Sequence, residues 1–229
     1  AKHGRCIIYD RRGFHRSGRP DPFEKSDLAE QVDDAAALLD ALAATPAVVV
    51  GRSTGGLIAL ELARRYPAHV RALVLLEAAV FTIDPEASAW AAEIRSNAVR
   101  AAEEDPYSVS ETVLRAALGD PVWVSLPLEL KQMFISGSPA VLAEIRGTGL
   151  DLSAESLVLG EQDLAEIAQP ALVVSSEDSP EVLRLVNSHL AAGLPHSEAL
   201  LVAGGHLINP AHPGVLDFID RVTGRSSPP

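Results

Sequence analysis

The sequence predicts an α/β protein: a mostly parallel sheet flanked by helices, with a helical insertion in its middle. Three observations predict it. Over residues 5–79 short apolar runs alternate with amphipathic helical patterns; residues 81–169 hold helical patterns without a convincing strand; strand-like runs return from residue 171. A chain of 229 residues is near the upper size for one core, so one compact domain with a sizeable insertion is expected. These shifts in pattern place a core at residues 1–80 and 170–224, a helical cap at residues 81–169, and a disordered tail at residues 225–229.

Taken in order, residues 5–9 (RCIIY), 47–50 (AVVV) and 72–76 (ALVLL) are apolar runs of strand length. Between the first two, Ser26 is placed to cap a helix whose Leu28, Val32, Ala35, Leu39 and Leu42 recur at helical spacing. A second helix is predicted over residues 57–66 and stops before Pro67, which cannot continue it. Within the insertion, Pro106, Gly119-Asp120-Pro121 and Gly137-Ser138-Pro139 separate one helical pattern from the next. The last third gives strands at residues 171–174 (ALVV) and 198–202 (EALLV), a helix over residues 183–192, and a final helix from about Pro213.

Composition narrows the function. The net charge of -12 repels a polyanion, so nucleic acid is not expected as a partner. No apolar stretch approaches the roughly 20 residues that span a bilayer, and the start of the chain lacks a charged-then-apolar signal pattern. A cytoplasmic protein without a membrane partner is the expectation. The single cysteine, Cys6, lies in an apolar run and reads as a buried, inert thiol.

The chemistry concentrates at Gly51-Arg52-Ser53-Thr54-Gly55-Gly56, directly after AVVV and directly before a helix. A G-x-S-x-G turn in that setting bends sharply from strand to helix and lifts the serine hydroxyl above the sheet edge. Glycines two positions either side, here Gly51 and Gly55, avoid collision in the bend. The backbone N–H of Thr54, at the start of the helix, is placed to stabilise an oxyanion. A phosphate-cradling loop is the competing reading, but the G-x-G-x-x-G spacing and a P-loop lysine are both missing.

A serine hydroxyl becomes a competent nucleophile when an adjacent base takes its proton. His206 sits on the glycine loop Gly204-Gly205 after the last strand, which gives its ring room to reach across; His212, beside Pro213, suits a helix cap. The third member must be a carboxylate at the carboxyl end of a strand. Glu77, ending ALVLLE, and Asp178, in Ser175-Ser176-Glu177-Asp178-Ser179-Pro180, are the two candidates. Glu77 is favoured, and Asp178 remains the alternative.

With Tyr9-Asp10-Arg11-Arg12-Gly13-Phe14-His15-Arg16-Ser17-Gly18, which looks like a D-x-x-G-x-G-x-S turn, these motifs resemble the α/β-hydrolase superfamily over essentially the whole chain. His15 departs from the usual glycine. In the commoner form of the family's loop the acid would fall on Ser179, one residue beyond Asp178. The glutamate after ALVLL makes the chain look most similar to members whose acid follows the sixth strand, zearalenone-type lactonases among them. Relatives also carry earlier strands and a loop that donates a second oxyanion-hole amide. Residues 1–4 do not match that loop, which implies either a fragment or an incomplete hole lacking a donor worth about 2.7 to 4 kcal/mol.

The resemblance implies a serine hydrolase of carboxylesterase or lactonase type that acts on a small, apolar ester or lactone through an acyl-enzyme, with no cofactor and no metal. Phe81, Trp90, Trp123, Met133 and Phe134 are apolar residues of the cap expected to cover its pocket. A non-catalytic or truncated homologue that binds a small apolar ligand, or a perhydrolase or lyase on the same fold, is the alternative. The sequence leaves oligomeric state open.

Overall fold

The computed structural model describes residues 4–225. Its chain divides into two compact units, one drawn from Ala1–Tyr9, Val32–Ala79 and Leu159–Pro229, the other from Asp10–Gln31 and Val80–Val158. The end of the expected tail, residues 226–229, lies outside the described residues.

The first unit is built on four parallel strands in the order β1 (Ala47–Ser53), β2 (Val70–Ala78), β3 (Ala171–Ser176) and β4 (Ser197–Val202). Four of the five expected strands fall inside these, each extended by one to four residues. Helices α2 (Thr54–Arg65), α8 (Glu161–Ala165), α9 (Glu181–Gly193) and α10 (Pro213–Val222) belong to the same unit. In β2 the residues Ala72, Val74 and Leu76 join Leu172, Val174, Val202, Ile208, Val215 and Phe218 in one apolar cluster. The intervening Leu73 and Leu75 are equally buried, so β2 is covered on both faces, as central parallel strands are.

Residues 5–9 correct the first strand expectation. They form no strand, Ile8 is 90% exposed, and Cys6 is exposed rather than buried. A strand exists through its ladder partners. Among the described residues β1 has β2 on one side and no strand on the other, so RCIIY has nothing to pair with. Its apolar character predicted the right kind of segment without supplying a neighbour. Arg5 instead donates from its guanidinium to the Leu42 carbonyl at 2.7 Å.

The second unit is helical: α3 (Pro85–Glu104), α4 (Val109–Leu118), α5 (Asp120–Ser125), α6 (Leu128–Ser136) and α7 (Ser138–Arg146), with the DRRG turn. Asp84 caps α3 by accepting from the N–H groups of Glu86 and Ala87 at 2.8 and 3.0 Å. The sequence's break points turn out to be helix starts: Pro106, Pro121 and Pro139 each stand in a first turn, Pro106 in a short 3-10 helix, where a missing N–H costs nothing. Phe81 and Trp90 meet edge to face at 5.4 Å, and buried Trp123 lies 6.5 Å from Phe134, whereas Met133 is exposed.

Helix α1 (Leu28–Ala41) corrects the capping expectation. Asp27 precedes it, and the Glu30 carboxylate accepts the Asp27 N–H at 3.0 Å, half of a capping box. Ser26 is buried elsewhere: its N–H donates to the Ala143 carbonyl and its hydroxyl accepts from the Gln31 amide at 2.9 Å. Gln31 also reaches Glu144, whose buried carboxylate pairs with Arg11 at 2.5 Å. Burial pushes the Glu144 carboxyl up, to about 7; Arg11 opposes this and Asp151 adds to it.

Candidate active site

Ser53 ends β1 and directly precedes α2, with φ 51° and ψ -125°. This is a left-handed backbone, the kind a strand-to-helix nucleophile elbow requires, adopted here by a non-glycine residue at a cost of order 1–3 kcal/mol. The Ala79 N–H donating to the Ser53 carbonyl at 3.0 Å fixes the turn to the end of β2. Thr54 opens α2, so its N–H is one of the first-turn donors a helix cannot use internally. A Cβ on Gly51 would come within 2.2 Å of the Gly55 carbonyl oxygen, which explains that glycine. Gly55 itself borders open space. The tight contact belongs to Gly56, whose added Cβ would stand 2.5 Å from the Ala78 Cβ.

The register of β1 on β2 breaks at the same place. Arg52 pairs with Leu76 and Ser53 with Ala78, so Glu77 is an extra residue, bulged out of the ladder with φ 48°. A bulge re-aims a side chain. Here it delivers the Glu77 carboxylate to β3 and the loop after β4. Ser176 donates to Oε1 of Glu77 from both its N–H and its hydroxyl, each at 2.9 Å, and the Ser179 hydroxyl donates to Oε2 at 2.8 Å. Nδ1 of His206 lies 2.7 Å from the same Oε2.

Glu77 is 0% exposed, and burial, the largest single influence, pushes its carboxyl up. The hydrogen bonds from His206, the Ser176 N–H and Ser179, with the charge of His206, together outweigh burial and hold the carboxyl below its usual range. A carboxylate on Nδ1 places the ring proton there and leaves Nε2 as the basic nitrogen. Among the described residues the His206 ring bonds only through Nδ1, and the Ser53 hydroxyl makes no hydrogen bond. The structure thus brings His206 to Glu77 and joins it by no hydrogen bond to Ser53.

Gly204 adopts φ 95°, so the loop before His206 needs glycine for its conformation; neither Gly204 nor Gly205 is crowded, so room for the ring is not the reason. His212 caps α10, its Nδ1 accepting from the Gly214 N–H at 3.2 Å. Asp178 is exposed and its N–H donates to the Gly204 carbonyl at 2.9 Å, tying the two loops together. Sequence reasoning passed over Ser176 and Ser179 as partners of Glu77. Their signal was a serine at the position where a carboxylate would be usual. His15 holds φ 42°, keeping the left-handed turn although glycine is replaced. Among the described residues no cluster of His, Cys, Asp or Glu side chains is placed to hold a metal ion.

The family described as alpha/beta hydrolase fold matches residues 1–213. The chain belongs to the α/β-hydrolase family. Within that family it is 29% identical over 219 residues to a RutD protein of Agrobacterium fabrum named for a proposed carbamate hydrolysis, covering 94% of this chain and 80% of the relative. Among solved α/β-hydrolases, Est816, described as an N-acyl homoserine lactone degrading enzyme, superposes with a TM-score of 0.65 at 25% identity, over 94% of this chain and 80% of its own. MGS-M2, an alpha/beta hydrolase enzyme from a Medee basin deep-sea metagenome library, shares the fold with a TM-score of 0.71 at 19% identity, over 96% and 80% of the two chains. No helix of the described residues of this α/β-hydrolase is long and apolar enough to cross a membrane.

Proposed function

We propose that this α/β-hydrolase is a serine hydrolase that cleaves a carboxylic ester or lactone of a small, apolar molecule through an acyl-enzyme. The observation that carries the reading is the 2.7 Å contact between Glu77 and Nδ1 of His206, made in a chain that also presents Ser53 on a strand-to-helix turn. Ser53 Oγ attacks the carbonyl carbon while its proton passes to Nε2 of His206. Glu77 stabilises the imidazolium at Nδ1, and the Thr54 N–H donates to the oxyanion. The tetrahedral species collapses, the alcohol leaves with the proton from His206, and a water activated by the same imidazole releases the acid. A carbamate carbonyl would follow the same steps, and the RutD relative makes carbamates worth including as substrates.

A fluorophosphonate probe is expected to label the wild type and not Ser53→Ala; equal labelling removes the nucleophile. Hydrolysis of p-nitrophenyl butyrate, an acyl homoserine lactone and a phenyl carbamate then sorts the substrate class. Glu77→Gln is expected to lower kcat by about 10⁴-fold with KM little changed, while Asp178→Asn leaves kcat within about twofold. The reverse ranking assigns the acid to Asp178.

A further inference from the structure

The geometry points to Ser176 and Ser179 as positioning residues: a buried pair of hydroxyls that fixes the Glu77 carboxylate against His206 and keeps it ionised. This rests on the reading of Glu77 and His206 as triad members. Both serines are buried, and each hydroxyl reaches a different oxygen of Glu77, Ser176 at Oε1 and Ser179 at Oε2. Their own oxygens lie 2.6 Å apart. Each hydroxyl has a single proton. When Ser179 gives its proton to Oε2 and Ser176 turns to Ser179, the Ser176 N–H still holds Oε1, so the carboxylate keeps a donor on each oxygen in either arrangement.

A carboxylate with no exposure needs such donors, because desolvation favours its neutral form. In that form it would withdraw the negative charge that the imidazolium requires. The clamp also answers a geometric need. Glu77 sits on a bulge, where no ladder bond fixes its direction, and both serines stand at the end of β3 or just beyond it. The loop is itself held: Arg184 of α9 donates to the Ser179 carbonyl at 2.7 Å, and Asp178 donates its N–H to Gly204 beside the histidine loop. The ionisable group facing Glu77 is His206. Glu177 and Asp178, on the loop after β3, are exposed, and Arg184 is engaged with backbone oxygens.

The experiment compares Ser176→Ala, Ser179→Ala, the double variant and the conservative Ser179→Thr, each also in a Ser53→Ala background. Rates with p-nitrophenyl butyrate are followed across pH. The downfield proton resonance of the His206 Nδ1–H is recorded by NMR, which requires no turnover. Ser179→Ala is expected to lower kcat by about tenfold to a hundredfold with KM within about twofold, the worth of a hydrogen bond to a charged group. The acid limb of kcat/KM should move to higher pH, the downfield resonance should shift or broaden in both backgrounds, and Ser179→Thr should restore most of each property. Folded alanine variants, double included, with an unchanged acid limb and resonance would overturn the clamp. A wild type without acyl turnover whose resonance still responds to Ser179→Ala leaves the clamp standing and removes the hydrolase reading instead.

Discussion

Ser53 and Glu77 hold nearly the same left-handed backbone, φ 51° and 48°, at the ends of adjacent strands. Each conformation costs on the order of 1–3 kcal/mol and persists because the surroundings over-determine it. Gly51 does part of that work by letting the Gly55 carbonyl approach to a distance no Cβ tolerates. Thermal melting should therefore separate two glycines that look alike in the motif. Gly51→Ala is expected to cost several kcal/mol, since backbone must move, whereas Gly55→Ala, in open space within α2, should be neutral or raise stability by about 0.5–1 kcal/mol. Similar losses at both positions would show that the bend is not set by the Gly51 approach. The motif made Ser53 and Gly51 legible in the sequence. It misassigned the second crowded glycine, because the contact of Gly56 with Ala78 comes from a strand that a local pattern cannot see.

At the scale of elements, the decisive feature is one unpaired residue between Leu76 and Ala78. Alternation along ALVLLEA gives no hint of a bulge, so the direction of Glu77 was not readable; that a carboxylate stood at a strand end was. The site also offers a second address for the acid. Ser179 Oγ and His206 Nδ1 both lie within 2.8 Å of Glu77 Oε2. Ser179→Asp alone should destabilise the protein, since two carboxylates then share one buried site and one must take a proton. Combined with Glu77→Ser, the same substitution is expected to recover kcat at least about tenfold over Glu77→Ser alone, a non-additivity proper to residues in contact. Additive losses in that cycle would mean that the loop after β3 cannot aim a carboxylate at the ring. RCIIY teaches the complementary lesson: run length and composition marked a strand, but pairing is a property of neighbours.

For the whole molecule, the sequence disclosed the four strands and the run of helices between β2 and β3, because periodicity is local and survives without coordinates. The motifs named Glu77, ahead of Asp178, as the acid for His206, 129 residues away, whereas nothing in the sequence pointed to Arg11 meeting Glu144, 133 residues away. These two buried carboxylates should give stability opposite pH dependences. The Glu144 carboxyl is raised from 4.5 to about 7, so between those values the unfolded chain has lost a proton that the folded chain retains, and stability falls as pH rises. The Glu77 carboxyl is lowered, so its contribution is complete above 4.5 and is lost as pH falls through its folded value. Urea denaturation over a pH series should show Glu144→Gln flattening the decline above 4.5 and Glu77→Gln flattening the decline below it. Exchanged effects would contradict both assignments.

The sheet's last strand has one further consequence, for handling the protein in solution. Among the described residues β4 lacks a neighbour on one side, and Leu201 lies exposed on it. An unsatisfied row of amide and carbonyl groups invites another polypeptide to extend the sheet, and an exposed aliphatic side chain strengthens the invitation. Light scattering at rising concentration should detect this self-association, and Leu201→Lys, a charged gatekeeper, should postpone it to higher concentration.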